Sequence, residues 1–269
     1  MVRVHPAVPF HDRPLILDFL GVPDVGPLLF AGLTLASFVT AFIGVYTGAA
    51  GGVILLALMA LAMPPAALIP VHTVVMLGAG ITRTMIMWRW VMRSTVLPFV
   101  IGCAVGAAVG ARVFVSLPTS LLLGILGAFI LLVTWMPKLG RIGAERGRFL
   151  LLGFGATFLG MFVSATGTLI APFVASAAPD RRNHAATLGA LMLFSHFAKL
   201  AAFGFIGVAI GSFAPLMAAM IVAGAAGNWL GEWALIRTSE QRFRLIFQLV
   251  LTALALRLLW GAAADAGWV

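Results

Sequence analysis

Gly44-Val-Tyr-Thr-Gly-Ala-Ala-Gly-Gly52 runs straight into Val53-Ile-Leu-Leu-Ala-Leu-Met-Ala-Leu-Ala-Met63 and stops at Pro64-Pro65. A glycine-rich tip, a short apolar run and a double proline together start a helix and soon end it. The order recurs at Ser164-Ala-Thr-Gly-Thr168, which leads into Leu169-Ile-Ala-Pro-Phe-Val-Ala-Ser-Ala-Ala178. The two apolar runs, near 52–63 and 168–178, are about half the length a membrane crossing needs. How they fit among their neighbours decides the fold.

Almost everything around them is apolar. Of the 269 residues, 62% are hydrophobic and 9% charged, and the mean hydropathy is +1.12. A soluble domain carries about 25% charged residues to wet its surface. This chain cannot cover itself that way, so its outer face meets lipid. The expected class is an all-α, polytopic integral membrane protein. At roughly 20 residues per crossing, about ten segments fit. Apolar runs between breakers place them near 27–47, 52–63, 66–88, 95–115, 120–136, 150–165, 168–178, 184–209, 212–235 and 243–262. The expected organisation is a tail over 1–26, a first repeat over 27–136, a linker over 137–149, a second repeat over 150–262 and a tail over 263–269. His5, Pro6, Asp12, Arg13, Pro14 and Asp18 interrupt the first tail, which reads as extramembrane or interfacial and not as a cleavable signal peptide.

The formal charge of +9 comes from 17 Lys and Arg against 8 Asp and Glu. These cations lie in short loops between apolar runs, where the positive-inside rule accounts for them without nucleic acid as a partner. If all ten segments cross, Arg89, Arg93, Lys138, Arg141, Arg146, Arg148, Arg181, Arg182, Arg237, Arg242 and Arg244 share one side, eleven against Arg3, Arg13, Arg112 and Arg257. If the two short segments re-enter, the loops split six against six. The asymmetry favours ten crossings in a bacterial inner membrane, with both termini periplasmic and 137–149 cytoplasmic. Trp88, Trp90, Trp135, Trp229, Trp233 and Trp260 fall near proposed span ends, as an aromatic belt requires. The single Cys103 excludes an internal disulfide.

A shift of 116 residues lays one half on the other: Gly44 on Gly160, Ala49 on Ala165, Gly51 on Gly167, Ile54 on Ile170, Met76 on Met192 and Leu77 on Leu193. More telling than these identities is the repeated order of long span, polar-small tip, short span, long span with an internal cation, then two more spans. Five crossings per half is an odd number, so the halves face opposite ways. Inverted repeats of this kind are characteristic of secondary transporters.

Gly44 to Gly52, Pro64-Pro65, Val71-His72-Thr73, the glycines Gly102, Gly106 and Gly110, and Arg112 resemble the TauE/SafE family of sulfite and organosulfonate exporters. Gly160 to Thr168 and Ala185-Ala186-Thr187 echo the pattern, so the likeness covers about 28–262. It departs where His72 replaces a smaller residue and where the second tip holds fewer glycines. The resemblance implies a transporter, not an enzyme, that exports a small inorganic or organic oxyanion and needs no cofactor.

A small oxyanion in a low-dielectric medium needs hydrogen-bond donors and positive potential, and the start of a short helix supplies both. The candidate binding residues are therefore Thr47, Gly48, Gly51 and Gly52 at the first tip, and Ser164, Thr166, Gly167 and Thr168 at the second. The bland reading of these tips is tight turns, with Thr168 capping a helix. Arg83 and Lys199, superposed by the shift of 116, add charge within spans. A buried cation costs about 2.5–3.5 kcal/mol on insertion scales and is kept for a reason, although Arg83 has the alternative of reaching the headgroups. Ser195 and His196 share the helix face of Lys199, and His72, Thr73 and Thr187 are secondary candidates.

Glu232 is the only carboxylate inside a span, near Arg237, where pairing is the simplest reading. Without central carboxylates, strict Na⁺ dependence is not expected, and His196 or the anion itself is the expected carrier of any proton dependence. No cluster has the spacing of a metal site. The alternative to a transporter is a non-transporting membrane assembly or sensing subunit. Two buried cations and the lack of a soluble sensing domain argue against it.

Overall fold

The computed structural model describes residues 18–47, 50–135, 147–208, 210–234 and 240–267. Among these it forms ten α-helices: α1 Pro27–Thr47, α2 Ala50–Ala60, α3 Pro65–Met87, α4 Arg93–Ser116, α5 Thr119–Trp135, α6 Arg148–Val163, α7 Gly167–Ala177, α8 Arg181–Phe205, α9 Ala214–Ala234 and α10 Glu240–Asp265. The described residues contain no strand beyond an isolated bridge between Phe19 and Val22. The chain is an all-helical membrane protein. By length and composition four stretches suffice to cross: Pro27–Gly44, Arg93–Ser116, Arg182–Phe205 and Gly211–Gly231.

Local chemistry explains most helix ends. Pro65 opens α3, where a missing N–H costs nothing. Asp180 caps α8 by accepting from the Asn183 N–H at 2.8 Å, so α8 begins three residues before the apolar run near 184. The short helices also begin early, α2 at Ala50 and α7 at Gly167. Gly51, Gly52 and Thr168 thus lie inside first turns, not ahead of them. Each short helix has 11 residues and is about 16 Å long, half the hydrocarbon thickness.

Packing follows the logic of lipid, where apolar area alone does not hold helices together and close approach does. On α4, Gly102, Gly106 and Gly110 are buried. A Cβ on Gly102 would strike the Leu150 carbonyl of α6. The adjoining face presents Leu97, Ile101, Val105 and Val109, all exposed, as a lipid-facing stripe. α1 meets α9 in the same manner: a Cβ on Gly227 would strike the Phe38 carbonyl. α3 packs on α8 and α5 on α10. Trp88, Trp135, Trp229 and Trp260 are exposed near helix ends, and Arg89 and Arg182 both lie 5.3 Å from the Trp90 ring. The linker cations Lys138, Arg141 and Arg146, and Arg237, lie outside the described residues, as does the side chain of Glu232.

Candidate functional site

The break between α6 and α7 is built around Ser164. Its N–H still donates to the Gly160 carbonyl at 2.9 Å, continuing α6, but its φ is +54°. A side chain rarely adopts that conformation, and it persists only where surrounding contacts hold it. Those contacts come from two other helices. The Ser164 hydroxyl lies 2.9 Å from His72 Nδ1 and 3.0 Å from the Thr73 hydroxyl, both on α3. Its carbonyl accepts from Lys199 Nζ of α8 at 2.9 Å.

His72 also joins the two tips. Its Nε2 lies 3.0 Å from the Gly52 carbonyl in the first turn of α2. A carbonyl only accepts, so Nε2 carries a hydrogen. The first and second tips, which begin far apart in the chain, therefore share one imidazole. Beside them the Thr157 hydroxyl of α6 lies 3.0 Å from that of Ser195 and donates to Cys103 Sγ at 3.1 Å. The cluster is shielded from solvent: His72, Thr73, Thr157, Ser164, Thr166, Ser195 and Lys199 are fully buried and His196 nearly so. Gly160 makes room for it, since a Cβ there would sit 3.1 Å from Lys199 Cδ.

This polar centre is unfinished. The hydroxyls of Thr166 and Thr168 and the Nδ1 of His196 are buried without a hydrogen-bond partner. Leaving a buried polar group unpaired costs about 1–3 kcal/mol. Lys199 has three ammonium hydrogens and, among the described residues, one acceptor, the Ser164 carbonyl. No carboxylate pairs with it among the described residues. At the start of α7, Thr166 precedes the helix without a side-chain cap bond, and Thr168 lies within it, so neither hydroxyl is spent on capping. Two unpartnered hydroxyls thus flank the start of α7, next to the Ser164 carbonyl that Lys199 holds. No group of three metal-ligating side chains occurs among the described residues.

The structure brings together Gly52, His72, Thr73, Ser164, Thr166, Gly167, Thr168, Ser195, His196 and Lys199, with Gly51 packed on α1 beside Gly44. Thr187 stands apart, since its hydroxyl accepts from the Met92 N–H at 2.9 Å and ties α8 to the start of α4. Gly48 and the side chains of Thr47 and Arg83 lie outside the described residues. His72, secondary in the sequence, is central. Sequence reasoning missed Thr157, although it is the only hydroxyl in α6 and lies seven residues before Ser164, two turns along one face.

Comparison with curated proteins and with solved structures gives no match. The model of one family, described as sulfite exporter TauE/SafE, matches residues 33–258. That match spans most of the chain, and with an all-helical membrane architecture beneath it, the chain belongs to the TauE/SafE sulfite exporter family.

Proposed function

We propose that this protein is a secondary transporter that exports a small anion, sulfite or an organosulfonate, and binds it beside the second tip, near the membrane midplane. The observation that carries this reading is Lys199: fully buried, without a carboxylate partner among the described residues, and bonded through one contact to a backbone carbonyl. An ammonium so placed is satisfied by an anion that also takes up the free hydroxyls of Thr166 and Thr168. Arg83, its counterpart in the first half, draws the anion from the opposite side.

The alternation of access rests on two inverted five-segment halves, 27–136 and 150–262. Helix pairing supports this. Exchanging α1 with α6 and α4 with α9 turns the α1–α9 contact into the α4–α6 contact, while the α3–α8 and α5–α10 contacts map on themselves. Both halves hold an 11-residue second helix. In this scheme α2 and α7 complete their crossings with the irregular tips before them, giving ten crossings, periplasmic termini and a cytoplasmic 137–149 linker. No strict Na⁺ dependence is expected, and transport by proteoliposomes that stops without Na⁺ overturns that expectation. The test is binding of sulfite, sulfoacetate, taurine, thiosulfate and sulfate to purified protein by calorimetry. Binding of a sulfite or sulfonate that Lys199→Met weakens supports the reading, and binding of none of the five overturns it.

A further inference from the structure

Four close contacts form one chain through the polar centre: Gly52 O to His72 Nε2 at 3.0 Å, His72 Nδ1 to Ser164 Oγ at 2.9 Å, Ser164 Oγ to Thr73 Oγ1 at 3.0 Å, and Thr73 Oγ1 to Ile69 O at 2.8 Å. Both ends are carbonyls, which only accept, so each contact needs a hydrogen from the three side chains between. A neutral imidazole, a serine and a threonine hold one such hydrogen each. Three hydrogens therefore face four contacts. If Nε2 donates to Gly52 and Ser164 donates to Nδ1, the Thr73 hydroxyl serves either Ser164 or Ile69 and leaves the other contact empty. An imidazolium supplies the fourth hydrogen. Nδ1 then donates to Ser164, Ser164 turns to donate to Thr73, and Thr73 donates to Ile69. Every contact is filled, with the hydrogens pointing outward from the imidazolium toward the Gly52 carbonyl at one end and the Ile69 carbonyl at the other.

We infer that His72 is a proton-binding site loaded together with the transported anion, so that the coupling ion is H⁺ and its seat is the imidazole joining the two tips. The inference rests on the anion reading above and adds the coupled ion. Charge explains why the two arrive together. The titratable groups within electrostatic reach of His72 are Lys199 and His196 of α8. Of the other elements packed on α3, α2 and α5 contain no titratable residue, α6 has only Arg148 at its far end, bonded to the Phe173 carbonyl, the turn Trp88–Trp90 has Arg89, which lies against the Trp90 ring, and the one acid of α9, Glu232, has a side chain outside the described residues. With no acid beside Lys199 among the described residues, a second positive charge in this buried centre is tolerated when an anion is present. Conversely, proton and anion leave together. The proton is taken up by the Nδ1 lone pair from water that accompanies the anion's entry, and it is returned when the anion departs. No covalent bond to the anion forms. His196 lacks this path, since its Nδ1 has no partner.

Because Ser164 is shared by the proton chain and by Lys199, the proton also changes the second tip. The Ser164 hydroxyl changes from donor to acceptor toward His72 and donates to Thr73 instead, while its carbonyl stays on Lys199.

The test uses ethanesulfonate, an anion that carries no proton of its own near neutral pH, and full-length protein in detergent. Calorimetry in buffers of different ionisation heat reads the protons taken up per anion bound. The wild type is expected to take up about one proton per ethanesulfonate bound between pH 7 and 8, and His72→Gln none per ethanesulfonate that it binds. Thr73→Val gives a second arm less prone to folding failure. It deletes the last two contacts, leaving two contacts for the two hydrogens of neutral His72 and Ser164, so uptake should fall well below that of the wild type. Anion binding without proton uptake by the wild type overturns this inference and leaves the transporter reading standing. Undiminished uptake in either variant overturns it too. Failure of ethanesulfonate and sulfite alike to bind the wild type overturns both.

Discussion

Lys199 of α8 holds the carbonyl of Ser164 at 2.9 Å, so a charge buried in one span is bonded to the one non-glycine residue of the α6–α7 break that has positive φ. This contact ties the main cation of the site to the backbone of the tip. On the proposed reading, an anion that takes up the remaining ammonium hydrogens would be connected through this bond to the position of α7.

Lys199→Met should insert and fold with thermal stability equal to or above that of the wild type, because an apolar chain of similar length replaces a desolvated charge. Anion affinity should fall by about 1.5–3 kcal/mol, the range for hydrogen bonds to charged groups, roughly ten- to a hundredfold. Lys199→Arg should lose less but not be silent, since a planar fork replaces a compact charge. Calorimetric binding of sulfite decides the matter; unchanged affinity in folded Lys199→Met protein removes Lys199 from the site.

Two substitutions at Ser164 separate backbone strain from side-chain bonding. Both Ser164→Ala and Ser164→Gly lose the contacts to His72 and Thr73. Only glycine also relieves the φ of +54°. Ser164→Gly should therefore be more stable than Ser164→Ala by about 1–2 kcal/mol, read as a difference in thermal midpoint. Equal midpoints would mean the residue is not held in that conformation in the membrane.

Gly102→Ala and Gly227→Ala each place a methyl against a backbone carbonyl of the paired helix. Each should cost about 1–3 kcal/mol, as overpacked cores do. Gly155→Ala and Gly204→Ala meet open space and should change stability by less than about 0.5 kcal/mol. Thermal denaturation in one detergent compares all four. Equal losses at all four positions would contradict close packing of α4 on α6 and α1 on α9.

The ten-crossing scheme puts Ser120 outside and Gly143 inside. In a Cys103→Ser background, an impermeant maleimide added to intact cells should label Ser120→Cys and spare Gly143→Cys. The reverse labelling would refute both the scheme and the orientation.

The residues themselves determined the membrane class and the places where the described helices break. Hydropathy is summed along the chain, and glycine, proline and capping aspartate act on the next turn, as Gly52, Pro65 and Asp180 do here. The short lengths of α2 and α7, and the cation within α8, were legible for the same reason. Which side chains meet was not. In lipid a helix is apolar on every face, so periodicity does not separate the packed stripe of α4 at Gly102, Gly106 and Gly110 from the lipid stripe at Leu97, Ile101, Val105 and Val109. Only the tertiary structure placed His72 against Ser164, 92 residues away, drew Thr157 into the centre, and set Thr187 aside on Met92. Those pairings depend on how whole helices approach one another through small residues, a property of two surfaces at once that no single stretch of sequence contains.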